Sequence, residues 1–395
     1  MDKIICGNSV EYNSKIDTRS LYIHWPFCAY KCDYCPFVSF AGRDQFMERY
    51  NNALMKEIEY FFGKNKSQKQ QIDTIFIGGG TPSTWPDEMI LDTSGKLNSV
   101  LSMSKNIEFT IEVNPGTVRD SQLEIFKDIG INRFSVGVQS LNDSILKNLN
   151  RFQKAQDVYN LLDKASNYFE NISIDLILGL PGVSFQEWKS YLKIIVGLPI
   201  KHISVYFLTI YENTPLYYKI ESGEVELIKD DEFVDIYNWT VDFLEEYGFY
   251  RYEISNFAKK GYESAHNKVY WDRKPYKAFG LAACSFDGTC RFQNYKDLSK
   301  YIECLEKSES VTETCEFLTD DQVRLEKIML GLRTDLGVDR EILFAQLSNE
   351  QKISLEKRIS ELLDKKFVYE KNNCLVISPL FLTIENEIVL ELLGK

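Results

Sequence analysis

The sequence has no surplus of basic residues. Lys and Arg number 46 against 58 Asp and Glu, a formal net charge of −12, with a pI near 5.0. A nucleic-acid binder normally presents a basic face, so this balance argues against that class; it carries no information on fold. Long apolar runs are also missing: nothing approaches the roughly 20 residues that a membrane-spanning helix needs. The opening MDKIICGNSVEYNSKID lacks the apolar core of a targeting segment, and a cytoplasmic protein is expected. No repeat with a period of roughly 20–50 residues stands out, and no low-complexity tract. Histidine is scarce, at positions 24, 202 and 266 only. With 44 % apolar and 26 % charged residues, the 395-residue chain reads as globular, with two or three domains.

Nine cysteines are present, an odd number. Cys6, Cys284, Cys290, Cys304, Cys315 and Cys374 are irregularly spaced. A disulfide framework is not expected in a large cytosolic chain, and these six read as small buried hydrophobes. Cys284 and Cys290 flank a glycine-containing segment, which leaves a ligand role open for them. The other three crowd into HWPFCAYKCDYCPF, as Cys28, Cys32 and Cys35.

Up to about residue 210 one pattern recurs: a short apolar or β-branched run, a Gly, Pro or polar loop, then a longer amphipathic stretch. The runs cover 20–25, 72–78, 107–113, 132–138, 172–179 (with Asn171 before it) and 202–208. Helices are expected near 43–63, 86–103, 119–129, 141–149, 155–168 and 184–197. Strand alternating with helix implies βαβ units and a parallel sheet. Six units fit an α/β fold built on an incomplete (β/α)6 TIM-like barrel over 21–210, behind an N-terminal segment 1–20; an open doubly wound sheet is the alternative. An aromatic-rich extension follows over 211–315. From 316 to 395 three helices and a hairpin turning at Asn372–Asn373 suggest a winged-helix-like module whose acids outnumber its bases, suited to packing or partner contact.

In a parallel barrel, chemistry sits at the C-terminal strand ends. Here that rim is loaded repeatedly. The first run leads into the cysteine loop and the second into Gly78-Gly79-Gly80-Thr81-Pro82-Ser83. The third carries Glu112 and ends in Asn114-Pro115-Gly116. The fourth ends at Gln139, and the fifth carries Asp175 before GLPG. Taken singly, each has a plainer reading: a flexible turn for GGGTPS, a satisfied core acid for Glu112 or Asp175, solvated surface for Arg151. Glycines let a backbone approach a ligand closely, and a carboxylate on an apolar strand asks for a cationic partner.

Three thiolates lack the fourth donor that closes a structural zinc site; His24 is the near candidate. An iron–sulfur cluster fits better. It takes thiolates, usually four, and with three one iron keeps an open position, as catalytic metal centres do.

C-x3-C-x2-C at the end of the first strand, followed by GGGTPS, resembles the radical S-adenosylmethionine (SAM) superfamily. Further segments extend the resemblance over nearly the whole chain: LYIHWPFC, EVNPGT, RFSVGVQSLND, DLILGLPG, HISVYFLTIYENTPL, YEISNFAKKGYESAHNKVYW and IMLGLR. Together they resemble the coproporphyrinogen-oxidase-like branch, most closely the HemW-type haem chaperones. The resemblance implies a [4Fe–4S] cluster on Cys28, Cys32 and Cys35, whose open iron seats SAM, and a cluster able to cleave SAM to a 5′-deoxyadenosyl radical. It implies SAM contacts from Tyr22, Gly79, Gly80, Thr81, Glu112, Gln139, Arg151 and Asp175. His266, in HNKVYW, matches a motif linked to haem, and imidazole is a natural axial ligand.

Oxygen-independent coproporphyrinogen III oxidases carry a further cysteine two residues after the third, where this chain has Phe37. They also have a longer N-terminal extension. Both departures favour a haem chaperone that binds haem and passes it to a client haemoprotein. The alternatives are that oxidase, whose activity is not favoured, and another radical-SAM enzyme. A GRxH segment common in the family reads Asn150-Arg151-Phe152-Gln153 here. No nucleic-acid partner and no membrane span are expected; a peripheral contact with a membrane client is compatible with this reading, and monomer and dimer both stay open.

Overall fold

The computed structural model describes residues 4–5, 11–13, 16–63 and 69–394. The chain divides into two compact units. One comprises Met1–Leu227, Ser264–His266 and Lys274–Phe317; the other comprises Ile228–Glu263, Asn267–Arg273 and Leu318–Lys395.

The first unit is built on seven parallel strands: β1 Ser20–Trp25, β2 Gln70–Gly79, β3 Leu101–Val113, β4 Arg133–Gln139, β5 Asn171–Leu178, β6 His202–Phe207 and β7 Lys277–Phe279. They lie in the order β6-β5-β4-β3-β2-β1-β7, every neighbouring pair parallel. From β1 to β6 spatial order follows chain order. A doubly wound sheet reverses direction at a switch point; this run never does, so right-handed crossovers carry every helix to one face, as in a barrel. The two ends of this parallel run, β6 and β7, are not paired with one another, so the barrel is open.

Between the strands lie α1 Met47–Gly63, α2 Asp87–Val100, α3 Asp120–Asp128, α4 Asp143–Asn148, α5 Ala155–Ala165 and α6 Phe185–Ile195. Each buries one face, which is fully apolar in some and carries polar residues in others, such as Thr93 and Ser94 in α2. In α5 it is Val158, Leu161, Leu162 and Ala165, the i, i+3, i+4, i+7 spacing of one helix face. The Asn142 side chain caps α4 by accepting from the Ser144 and Ile145 N–H groups, and Ser184 caps α6 through the Glu187 N–H. The one large boundary difference is at β3. A helix is expected to 103 and a strand only from 107, but α2 stops at Val100 and β3 starts at once. Its polar first half, Ser102 to Asn106, hides the strand pattern. It pairs Leu101 to Met103 with Gln70 to Ile72 before a register shift brings Thr74 opposite Glu108.

Two indoles lock the loop after β2 to the end of β1. Trp25 and Trp85 are fully buried and stacked, with centroids 4.3 Å apart. Trp25 Nε1 donates to Thr84 Oγ1 at 3.1 Å, and Trp85 Nε1 to Asn51 Oδ1 at 3.0 Å. Trp85→Ala is expected to cost about 3–5 kcal/mol, read as a lower denaturation midpoint at unchanged m-value.

The remainder of the first unit adds an antiparallel ladder of Cys284–Phe286, Cys290–Asn294 and Thr312–Phe317. Cys290, Cys304 and Cys315 are buried, as expected of small hydrophobes. Cys315 departs from the free-thiol expectation, being disulfide-bonded while the other described cysteines are free. Cys6 lies outside the described residues.

The second unit contains helices Asp320–Leu332, Arg340–Phe344 and Asn349–Asp364. They accompany a three-stranded antiparallel sheet in which Cys374–Ile377 lies between Val338–Asp339 and Val368–Lys371. Asn372 and Asn373 both have positive φ, 51° and 65°, the signature of a tight hairpin turn. A further helix, Glu385–Leu393, is absent from the sequence reading. Among the described residues no helix is long and apolar enough to cross a membrane.

Candidate functional site

The cysteine loop leaves β1 and is held shape-first by its neighbours. Phe27–Cys28 pairs with Phe40–Ala41 and closes the loop at its base. The Asp33 N–H donates to Leu149 O at 3.0 Å, Asn150 Nδ2 to Lys31 O at 2.6 Å, and the Leu216 N–H to Asp33 O at 3.0 Å. Lys219 closes an ion pair with Asp33 at 2.8 Å.

All three thiols face a cavity of about 370 Å³ at the C-terminal strand ends. Its lining also includes Gly79, Gly80, Thr81, Glu112, Gln139, Arg151 and Asp175. Ten of the twelve residues singled out from the sequence therefore meet in one place. Burial pushes the Cys28 thiol up, opposed by the Thr81 and Ser39 hydroxyls.

The glycine loop is shaped by contacts that leave no room for a side chain. Gly79 has φ +113°, and a Cβ there would lie 2.5 Å from the His24 ring. Its N–H donates to Glu112 Oε2 at 3.1 Å. Glu112 itself is half-buried in the cavity lining, and burial, then the neighbouring Asp175 charge, raises its pKa to about 7. Asp175 is raised chiefly by burial as well. Its Oδ2 accepts from Ser135 Oγ at 2.9 Å, while Oδ1 has no hydrogen-bond partner.

Gln139 reaches the cavity through backbone strain. The β4–β5 register slips between Gly137 and Gln139, and Gln139 has φ +65°. A bulge at a barrel rim re-aims a side chain, and such an outlier at a site marks a constraint held by its surroundings.

Arg151 is not the solvated surface residue its local sequence suggests: it is 5 % exposed. Asn150 before it has φ +56°, a left-handed conformation that Asn tolerates, at the place where the motif commonly has Gly. Arg151 Nη2 donates to Asn114 Oδ1 at 2.9 Å and to Gly137 O at 2.5 Å; Nη1 lies 3.6 Å from Cys32 Sγ. Asn114 Nδ2 in turn donates to Thr81 Oγ1 at 3.0 Å. A chain of hydrogen bonds thus joins the loops after β2, β3 and β4 to the cysteine loop. Asn114 reads from sequence only as part of a turn. Pro115 after it, which biases it to extended backbone, is the available signal. Gln153 replaces the motif's histidine and donates to Gly137 O and Val138 O at 3.0 and 2.7 Å. Arg133, 2 % exposed on β4, is also missed in the sequence. Its charge favours the ionised forms of Glu112 and Asp175.

Tyr22 and His266 are not among the cavity-lining residues. The Tyr22 hydroxyl hydrogen-bonds His24 Nδ1 at 3.1 Å. His266 is 1 % exposed. Its Nδ1 bonds Thr74 Oγ1 at 2.9 Å, its ring stacks on Phe76, and burial, with the Arg133 charge, lowers its pKa to about 3. As placed, Tyr22 engages its strand neighbour His24 and His266 is a packed core imidazole, so neither adds to the lining of this cavity. His24 is equally committed, with Nε2 on Val38 O at 3.0 Å. Among the described residues no three His, Cys, Asp or Glu side chains close on a single metal ion, the three cysteines included; the thiols share a cavity lining rather than a single-ion site, and His24, held at both ring nitrogens, adds no fourth donor.

The donor set fits a cluster and a zwitterionic, cationic ligand. Three thiols stand on one wall, and buried polar atoms of the lining are unpartnered: Asp175 Oδ1, Arg151 Nε and the Tyr30 and Tyr34 hydroxyls. Buried groups of this kind are rare without a partner.

Residues 22–195 match the model of the Radical SAM superfamily. The chain is 32 % identical over 380 residues to the haem chaperone HemW of Bacillus subtilis, covering 95 % of this chain and 100 % of that protein. It is 32 % identical to HemW of Lactococcus lactis, covering 89 % and 91 %. Coproporphyrinogen III oxidase (HemN) of Escherichia coli, a radical SAM enzyme, superposes with a TM-score of 0.80 at 22 % identity, over 95 % of this chain and 90 % of that one; at that identity the likeness shows the fold. The radical SAM family implies a [4Fe–4S] cluster and SAM, and the chain belongs to the HemW family within it.

Proposed function

We propose that this protein is a cytoplasmic haem chaperone, which binds haem and hands it to a client haemoprotein, with a [4Fe–4S] cluster on Cys28, Cys32 and Cys35 and SAM beside it. Those cysteines would hold the cluster, which when bound and reduced would supply an electron for cleavage of the sulfonium C–S bond of SAM. The chain's own residues do the rest. Glu112 and Asp175 offer carboxylates to the ligand's cationic and hydroxyl groups, the Gly79–Gly80 backbone lets it approach, and Gln139 offers an amide from its strained position.

The observation that carries the reading is the cavity with its rim. Phe37, Tyr206 and Tyr211 line its mouth and are 65 %, 43 % and 46 % exposed. Phe152, 56 % exposed, stands edge-on to Tyr30 of the lining at 5.4 Å. Exposed aromatic patches of this sort mark binding surfaces, and a flat apolar macrocycle suits them. Phe37 stands where the oxidases carry their further cysteine. Ligation by His266 would require breaking its Thr74 bond and leaving Phe76, so the geometry gives that role no support.

The test is haem titration of anaerobically reconstituted protein. A saturable Soret shift is expected, with no protoporphyrinogen formed from coproporphyrinogen III in the presence of SAM and reductant. A flat titration would sink the chaperone reading, and decarboxylation would replace it with the oxidase.

A further inference from the structure

We infer that Arg151 is a positioning residue for the iron–sulfur centre: it is fixed to the protein on one side, directs an N–H at the Cys32 sulfur on the other, and so raises the centre's reduction potential. This rests on the reading that Cys28, Cys32 and Cys35 hold the cluster.

Three observations carry it. The guanidinium is anchored to the protein: Nη2 is occupied by Asn114 Oδ1 and Gly137 O, Nη1 lies 3.6 Å from Cys32 Sγ, and Nε has no partner. The fold has made room for it. A Cβ on Gly137 would lie 2.9 Å from Arg151 Nη2 and 2.7 Å from Asn114 Oδ1, so the strand opposite must be side-chain-free. Its approach is built in by the left-handed Asn150, whose amide also grips Lys31 O in the cysteine loop. Arginine and sulfur are therefore tied to the same short segment.

Hydrogen bonds to cluster sulfurs, net charge and burial set such potentials. A buried cation with an N–H on a ligating sulfur stabilises the extra negative charge of the reduced form more than the oxidised form. The planar guanidinium fork, which lysine lacks, allows one side to be anchored while the other donates. This assigns Arg151 a task separate from touching the carboxylate of SAM.

The test compares wild type, Arg151→Met and Arg151→Lys, each reconstituted anaerobically and poised at defined potentials, with reduced cluster counted by electron paramagnetic resonance. In Arg151→Met the reduced-to-oxidised ratio at a fixed potential is expected to fall about tenfold, which for a one-electron couple is a midpoint about 59 mV lower. Arg151→Lys, which keeps the charge without the fork, is expected between the two. An unchanged midpoint in Arg151→Met carrying full iron and sulfide would overturn the inference. If Arg151→Met does not fold, Arg151→Lys decides, and a midpoint equal to wild type overturns it. Failure of the wild type itself to bind iron and sulfide would instead remove the cluster reading.

Discussion

Serine in place of any one of Cys28, Cys32 or Cys35 is expected to leave a folded protein without its iron–sulfur centre. Iron and inorganic sulfide should fall to background after anaerobic reconstitution, with the visible charge-transfer absorption lost and the far-ultraviolet circular dichroism unchanged. Three sulfurs are the fewest that hold the cluster while leaving one iron open, so no spare donor exists to cover a loss. His24 cannot step in, because both ring nitrogens are occupied, by the Tyr22 hydroxyl and Val38 O. The same replacement at Cys304, buried at 3 % exposure on the helix Leu298–Glu306, should leave iron content intact. A variant that keeps its full iron after losing one of the three would mean that the cavity is not the metal centre.

Glu112→Gln is expected to weaken SAM by about 2–5 kcal/mol, the range for removing one partner of a buried charge pair, or roughly thirtyfold and upward in Kd. It should also flatten the pH dependence of binding. In the unliganded protein this carboxyl has a pKa raised from 4.5 to about 7, first by burial and then by Asp175. The folded state therefore holds a proton that the unfolded chain has released, so its contribution to stability is largest at low pH and is lost as pH rises from 4.5 through 7. Cation binding reverses the preference, because it favours the ionised form. Affinity should thus fall with acidification below pH 7, approaching about tenfold per pH unit. Isothermal calorimetry across pH 5.5–8 reads both effects, and a Glu112→Gln variant with wild-type affinity and slope would exclude this carboxylate from the site.

The framework of the barrel is legible in the sequence because its strands are short, β-branched and separated by helices with regular stripes. Five of the six barrel strands lie within about two residues of the expected runs. The sixth, β3, begins six residues early because Ser102, Ser104, Lys105 and Asn106 are polar in a strand held by its neighbour. At the site, motif spacing brings the cysteines, Gly79 and Glu112 to one cavity, since each sits at or near a strand end where direction is set by the fold. For His266 the motif gives residue type but not burial, and the side chain lies in the core outside that cavity lining. Motif spacing also hides where Arg151 goes, because a left-handed Asn150 precedes an apparently solvent-facing arginine that is buried in the cavity lining. Asn114 and Arg133 carry no local signal stronger than a turn and a strand start, and their importance emerges only from what lies across the barrel.

The anchoring of the cysteine loop separates shape from metal. Small zinc-dependent domains acquire their structure and their ion together. Here main-chain bonds to Leu149 and Leu216, the Asn150 amide and the Asp33–Lys219 pair hold the thiols in register from the protein side. Oxidative loss of a cluster held there is therefore expected to leave an intact socket rather than a collapsed polypeptide, with reloading needing iron and sulfide and not refolding.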